Sequence, residues 1–391
     1  MMVHKFDMYL RSCECCGGTD LESAWESSAL VTRANGDWRF PINIVVCRNC
    51  GFCFSSPAPT KYSLERYYSN GYSGFKSIGL PYSIEARVAI LKKYAAPEGV
   101  FAEIGGDEPG DFHKACANLF KTQLVIDISN DIDSKLRSVK NLETDSVDVL
   151  AHYDVLEHVL DVREFLSECS RALKLGGIMI CEVPNLRLYP RNLLMLECEH
   201  VNHFSVVTLN NIARSAGFNL IEISHRCSRD FGFLSVFRKD SVKSFPDYDP
   251  VVEYIDTLAC LSGGKDQIEF MLENIETLTE QIKTLSLQNK KITLWGVTEI
   301  LRRILKGGQL PKGVIVVDSD PRRKNFLESY KVEVFEPKNM IEHIATSNLI
   351  VICAPRYKSE INDWIVEKTG RKIASNTIKV LGEGLSGESL L

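Results

Sequence analysis

Apolar residues along this chain change their period from one segment to the next. Gly99 to Gly105 (GVFAEIG) and Gln123 to Ser129 (QLVIDIS) are short, mostly apolar runs that read as strands. Val149, Leu150 and Ala151 belong to a third run, of the kind that suits a parallel strand buried on both faces. That run stops at the polar pair Tyr153-Asp154. The spacing then predicts a helix over Leu156 to Leu173, closed by Leu175-Gly176-Gly177, and a further strand over Ile178 to Val183. Strand, helix and strand at this spacing make a βαβ unit. Open sheets of this kind place their ligands at the carboxyl ends of the strands.

Further along, Ile268, Leu272, Ile275, Leu278, Ile282 and Leu285 form one stripe at helical spacing. A second α/β pattern follows. Lys291 to Val297 reads as a strand entering a glycine turn at Gly296, and Gly313 to Asp318 as a strand ending in an acid. Val332 to Phe335 and Leu349 to Cys353 supply further strands, with Pro355-Arg356 at the end of the last. A single glycine is a weak nucleotide signal, so this part is either a nucleotide-binding or a purely architectural domain.

Two pairs of cysteines stand apart from the rest. Cys13-x-x-Cys16-Gly17-Gly18 and Cys47-x-x-Cys50-Gly51 are knuckles separated by about thirty residues. A tight glycine turn after each pair aims two sulfurs at one point, and tetrahedral zinc takes four thiolates. Cys13, Cys16, Cys47 and Cys50 are therefore expected to hold a structural zinc ion, with Cys15 and Cys53 as alternative ligands of poorer spacing.

Composition narrows the class. A chain of 391 residues, 45% hydrophobic and 25% charged, has the length for two or three domains and no bias toward disorder. The net charge of −5 without a long basic cluster argues against a nucleic-acid partner. No apolar run reaches membrane-spanning length, and MMVHKFDMYLRS lacks the apolar core of a signal peptide. Thirteen cysteines, an odd number spread along the chain, fit a reducing compartment better than a disulfide framework. The expectation is a cytoplasmic protein with neither a membrane nor a nucleic-acid partner.

Two groups of polar residues carry candidate chemistry. Asp127 ends its strand about twenty residues after Gly105. An acid there accepts hydrogen bonds from both hydroxyls of a ribose, or else caps a helix. EHVNHFS (Glu199 to Ser205) offers two histidines with an ordinary pKa suited to proton transfer near neutrality. Glu199 beside His200 is placed to hold the ring, with one of the two histidines alternatively a packing residue.

DVLAHYDVLEHVLD (Asp148 to Asp161), LKLGGIMICEVPN (Leu173 to Asn185) and EHVNHFS together resemble the class I S-adenosylmethionine-dependent methyltransferases. The cysteine head, the tyrosine-rich segment SSPAPTKYSLERYYSNGYS and the C-terminal VVDSDP and VEVFEP segments extend the resemblance. Over nearly the whole chain it is similar to the three-domain, zinc-containing nucleotide-sugar C-methyltransferases. The resemblance implies an α/β protein with an N-terminal zinc-binding module (1–75) and a central methyltransferase Rossmann-like domain (76–245). Linker helices (246–289) and a second Rossmann-like domain (290–391) would follow.

It implies that Glu103, Gly105, Gly106, Gly110, Asp127, Asp154 and Tyr72 bind S-adenosylmethionine. Tyr67, Tyr68 and Tyr72 would close over cofactor or substrate, or pack the head onto the next domain. Asn185, Asn202 and Tyr68 are expected to face the substrate, a small molecule of nucleotide-sugar type. The glycine loop departs from the family pattern E-x-G-x-G-x-G: the second glycine is displaced and a proline and two acids intervene before Gly110. The chemistry implied is removal of a proton α to a sugar ketone by His200, oriented by Glu199, with Asn202, His203 or Tyr72 stabilising the enolate oxygen and the resulting carbon taking the methyl group. O- or N-methylation by the same histidines is one alternative. A non-catalytic sugar-nucleotide-binding protein on a degenerate fold is another.

Overall fold

The computed structural model describes residues 3–33, 36–69, 83–106, 111–128, 136–190, 199–225, 231–240, 248–305, 310–320, 332–354, 357–370 and 378–380. The chain forms two compact units, 1–190 with 194–263, and 191–193 with 264–391.

In the first unit, short strands β1 (Val3–Lys5) and β2 (Met8–Tyr9) precede a long antiparallel hairpin of β3 (Leu21–Arg33) and β4 (Gly36–Cys47). This hairpin fills the interval between the two cysteine knuckles. Strands β5 (Cys53–Ser55) and β6 (Ala58–Pro59) and helix α1 (Lys61–Ser69) follow. Helix α2 (Ile84–Lys93) is capped by Ser83, whose side chain accepts from the Ala86 N–H at 3.1 Å.

The large sheet is built from β7 (Ala96–Ile104), β8 (Phe120–Ile126), β9 (Val147–Tyr153), β10 (Leu173–Pro184), β12 (Phe218–Ser224) and β13 (Gly232–Lys239). Helices α3 (Asp111–Ala115), α4 (Val162–Ala172) and α5 (Val206–Ser215) and the short strand β11 (Asn202–His203) complete the set. Among the described residues the strand order is β12-β13-β10-β9-β7-β8. The four strands from β8 to β10 are parallel, while β13 runs antiparallel to both its neighbours. The apolar runs read from the sequence are buried here on both faces, as Val149, Leu150, Ala151, Met179 and Ile180 show.

The expected helix over Leu156 to Leu173 is divided. A single 3₁₀ turn spans Leu156–His158, and the α-helix starts only at Val162. The backbone between them bonds elsewhere. Val201 N–H donates to the Glu157 carbonyl, Asn202 Nδ2 to the Leu156 and Val159 carbonyls, and Arg11 Nη2 to the Leu160 carbonyl. Carbonyls engaged this way leave the helical ladder, so periodicity alone overran the break.

The cysteine-rich head and the large sheet lie in the same compact unit and share a hydrophobic core. Phe52 and Phe54 pack in one cluster with Phe204, Leu150 and Val183. Each such fully buried ring contributes about 1.5–3 kcal/mol. The link is also a sheet: β5 pairs antiparallel with β11, Phe54 opposite Asn202 and Cys53 opposite His203.

Helix α6 (Pro250–Leu287) replaces the expected linker helices as one continuous element, and the unit boundary falls inside it at Gly263–Gly264. In the second unit its residues Ile275, Leu278 and Ile282 pack with Ile292, Leu294, Val316 and Val351. There β14 (Ile292–Trp295), β15 (Val314–Val317), β16 (Val334–Phe335), β17 (Leu349–Ile352) and β18 (Ile378–Val380) form a parallel sheet in the order β16-β15-β14-β17-β18. Helices α7 (Glu299–Leu305), α8 (Ile341–Thr346) and α9 (Lys358–Thr369) connect these strands. Gly296, at φ +100°, sits where a Cβ would lie 2.6 Å from that of Ala354. The acid ending β15, Asp318, closes this turn itself by accepting from the Val297 N–H at 2.7 Å and the Asp320 N–H at 2.8 Å. Residues 321, 355 and 356 of the sequence motifs lie outside the described residues.

Candidate functional site

The carboxyl ends of β7, β8 and β9 bring the expected cofactor residues to one edge of the sheet. Gly105 follows β7 with φ +79°, and its N–H donates to the Ile126 carbonyl at 2.8 Å. An added Cβ at Gly105 would meet Val155 Cγ2 at 2.6 Å. At Gly106 it would meet Glu103 Oε2 at 2.4 Å. The position of Gly105 thus favours glycine for its backbone conformation, and a side chain at Gly106 would have to displace the buried Glu103 carboxylate. Glu103 is buried, and its Oε2 lies 2.9 Å from Nε2 of His113 on α3. Asp127, at the end of β8, is half-buried, with its N–H bonded to the Leu136 carbonyl.

Asp154 adopts a left-handed conformation at φ +54°, uncommon for a residue with a side chain, and its N–H donates to the Glu182 carbonyl. Its Oδ2 lies 3.8 Å from Arg87 Nη2, and the Arg87 guanidinium stacks over the Tyr153 ring at 4.0 Å. Burial pushes the Tyr153 hydroxyl pKa well up, with the Glu103 carboxylate adding to the effect. Gly110 and Tyr72 lie outside the described residues. Two adjacent glycines, a buried acid and carboxylates at neighbouring strand ends fit the methionine and ribose portions of S-adenosylmethionine.

The EHVNHFS segment lies just beyond β9 and β10. Val201 N–H bonds to Glu157 in the turn after β9, and Leu186 N–H, after β10, donates to the Phe204 carbonyl at 2.9 Å. This holds three imidazoles together. The His158 and His200 ring centroids are 4.8 Å apart, and those of His200 and His203 6.5 Å. The Glu157 carboxylate lies with donor atoms of His158 and His200 inside a 4.8 Å group.

Glu199 does two jobs. Its Oε1 accepts from the Tyr67 hydroxyl, and its carbonyl lies 3.0 Å from His158 Nδ1. Tyr67 is itself fully buried against Phe6, Trp38 and Phe40, so this ring packs the head. Tyr68 is half-buried, with its hydroxyl 3.5 Å from His158 Nδ1.

His203 is fully buried, its Nδ1 2.6 Å from the Tyr189 hydroxyl. Desolvation lowers its pKa to about 3, with the Arg11 charge acting in the same direction, so the ring is neutral near pH 7. Asn202, expected to face substrate, has instead a structural place. Its Oδ1 accepts from Arg11 at 2.9 Å, and its Nδ2 donates to two carbonyls of the turn after β9. Asn185 likewise caps a 3₁₀ turn, Leu186–Leu188, by accepting from the Arg187 N–H at 3.0 Å.

Glu157, His158, Arg87 and Arg11 were not singled out by sequence reasoning. Glu157 and His158 stood inside the DVLEHV segment as an adjacent acid and imidazole, a usable signal. No sequence signal marks the buried arginines.

The four knuckle cysteines converge as expected. Cys13 and Cys50 sulfurs are 3.4 Å apart, those of Cys16 and Cys47 are 3.5 Å apart, and all four lie within 4.8 Å of one another. Gly17 and Gly51, at φ +81° and +74°, close the two turns, their N–H groups donating to the Cys13 and Cys47 carbonyls. The group could hold a zinc ion by four thiolates. No helix among the described residues is long and apolar enough to cross a membrane.

Residues 35–223 match the family model described as a methyltransferase domain. A 76-residue stretch, 19% of this chain, is 33% identical to a probable S-adenosylmethionine-dependent methyltransferase of Mycolicibacterium smegmatis, and spans 30% of that protein's length. Among solved structures, the chain is similar to an S-adenosylmethionine-dependent methyltransferase from Mesorhizobium loti. Identity there is 15%, the TM-score 0.34, and the match covers 40% of this chain and 98% of that one. It is also similar to the 1,6-didemethyltoxoflavin-N1-methyltransferase of Burkholderia thailandensis, solved with S-adenosylhomocysteine, at 12% identity and a TM-score of 0.38, over 49% and 96% of the two chains. Over residues 35–223 this chain is thus similar to a methyltransferase domain, and its curated relative is a probable S-adenosylmethionine-dependent methyltransferase.

Proposed function

We propose that the protein transfers a methyl group from S-adenosylmethionine to a small-molecule acceptor, and that this acceptor is the α-carbon of a nucleotide-linked keto-sugar. The observation that carries the reading is the position of His200. It sits in a cluster of three histidines whose segment is bonded to the turns that follow β9 and β10.

Bound S-adenosylmethionine supplies an electrophilic methyl group. Gly105 and Gly106 would hold its methionine portion, Asp127 its ribose hydroxyls, and Asp154 would face its methionine end. The protein's own task is to position the acceptor and move one proton. His200 takes the proton α to the ketone. Glu199, held by Tyr67, fixes the backbone that carries His200. His203, neutral and bonded to Tyr189, keeps the neighbouring wall of the site uncharged. Tyr68, its hydroxyl 3.5 Å from His158 Nδ1, would contact the substrate, while Asn185 and Asn202 hold the frame. The cysteine cluster carries a structural zinc, and the reduced thiols fit a cytoplasmic setting with neither membrane nor nucleic acid as partner.

The test uses nucleotide-linked 4-keto-deoxysugars as probes in D₂O. Wild-type protein should wash deuterium into the α-position and then transfer labelled methyl to that carbon. His200→Ala should lose at least about a hundredfold in both, the usual contribution of a positioned base, while stabilisation by S-adenosylhomocysteine persists. Label on oxygen or nitrogen without α-exchange would move the reading to O- or N-methylation. No stabilisation by S-adenosylmethionine or S-adenosylhomocysteine would leave a non-catalytic sugar-nucleotide-binding protein.

A further inference from the structure

We propose that Glu157, His158 and His200 form a second cation site, separate from the four cysteines, that takes a borderline divalent transition metal such as Zn²⁺ or Co²⁺. The donor atoms of these three residues lie within 4.8 Å of one another, and Glu157 and His200 are buried. His158 Nε2 is 3.9 Å from Glu157 Oε1. Tetrahedral coordination at about 2.0–2.1 Å sets neighbouring donors about 3.3 Å apart. Small side-chain rotations therefore close the group around an ion without moving the backbone.

The tautomer of His158 favours this. Its Nδ1 lies 3.0 Å from the Glu199 carbonyl oxygen. A carbonyl only accepts, so Nδ1 carries the proton and the lone pair of the neutral ring is on Nε2, the atom nearer Glu157. An outer N–H on a backbone carbonyl is the arrangement that orients metal-bound histidines. The two ligand-bearing segments are also tied to each other before any ion arrives. Val201 N–H bonds the Glu157 carbonyl at 2.8 Å, Asn202 Nδ2 bonds the Leu156 and Val159 carbonyls, and Arg11 bridges the Leu160 and Val201 carbonyls. Two imidazoles and one carboxylate suit Zn²⁺, Co²⁺ or Ni²⁺ rather than the all-oxygen preference of Mg²⁺ or Ca²⁺.

One consequence rests on the proposed function. A bound cation ties up the His200 lone pair, so it suppresses proton removal and methyl transfer.

The experiment titrates reduced protein that carries one equivalent of zinc per chain, bound by thiolate, with Co²⁺ and follows visible absorption and heat. The expected result is one further equivalent per chain. It should show weak d–d bands of nitrogen and oxygen ligation, without the intense thiolate charge-transfer bands of a cysteine site. Glu157→Gln and His158→Asn should weaken binding at least tenfold. The Asn amide can still donate to the Glu199 carbonyl, and zinc content together with thermal unfolding verifies that both variants fold. His343→Ala should bind as wild type does. Absence of the further equivalent in wild type, or its retention in both site variants, would overturn the site and leave the proposed methyl transfer standing. Cobalt that binds in this way but leaves methyl transfer unchanged would uphold the site and remove His200 as the base.

Discussion

Arg11 Nη2 donates to Asn202 Oδ1 at 2.9 Å, joining residues 191 positions apart. The same guanidinium bonds the carbonyls of Leu160, Val201 and Ser55, and Arg11 is buried. Removing it leaves several interior acceptors unpaired. Arg11→Met should cost about 3–5 kcal/mol, the range for breaking a buried charged network. Urea unfolding checks this. A loss below about 1 kcal/mol would mean that water replaces the guanidinium easily.

The glycine pair after β7 makes a sharper prediction. Gly106→Ala sets a Cβ 2.4 Å from the Glu103 carboxylate, and Gly105→Ala adds the strain of φ +79°. Each should weaken S-adenosylhomocysteine binding by about tenfold or more, a change of about 1.4 kcal/mol, while the protein remains folded. Calorimetric titration decides. Unchanged affinity in both variants would place the cofactor elsewhere.

Metal removal should act on the whole first unit. Cys50 and Phe52 pack in the core cluster that holds Phe204 and Leu150. Stripping zinc with a chelator, or Cys47→Ser, should therefore lower stability by several kcal/mol and abolish S-adenosylhomocysteine binding with it. Metal analysis with thermal unfolding tests this, and a chelated protein with an unchanged melting temperature would refute it.

His152 predicts a pH dependence. The ring is fully buried, edge-on to Phe165, and desolvation lowers its pKa to about 3. The fold therefore holds it neutral, whereas the unfolded chain protonates it near pH 6.5. As pH falls from 6.5 toward 3 the unfolded state binds the extra proton and stability drops. Between pH 7 and pH 5 this one ring should remove about 2 kcal/mol. His203, depressed to about 3 in the same way, adds a similar loss. Unfolding of His152→Leu at the two pH values should show a visibly flatter dependence than wild type, and an equal slope would exclude the ring as its source.

Much of this architecture is legible in the chain because strand burial is a local property. Val149 to Ala151 and Ile178 to Cys181 are apolar runs, paired with each other in the sheet. The cysteine knuckles are legible for the same reason, since each glycine turn is completed within five residues. What sequence reasoning misses is decided at long range. The break after Leu156–His158 exists because Arg11 and Asn202, far along the chain, take the carbonyls a helix would use. The contacts of Arg87 with Asp154 and Tyr153, and of Tyr67 with Glu199, also join distant segments. No spacing rule announces them.

The pairing of β5 with β11 bears on how the gene can be dissected. A fragment beginning at β7 would retain every strand of the large sheet and look like a complete smaller enzyme. It would nevertheless expose the backbone edge at Asn202-His203 and strip Phe52 and Phe54 from the Phe204 ring. Bare strand edges beside uncovered aromatic rings recruit other chains. Such a fragment should come out of cells as insoluble aggregate, and the first sixty residues belong in any clone meant to yield a working domain.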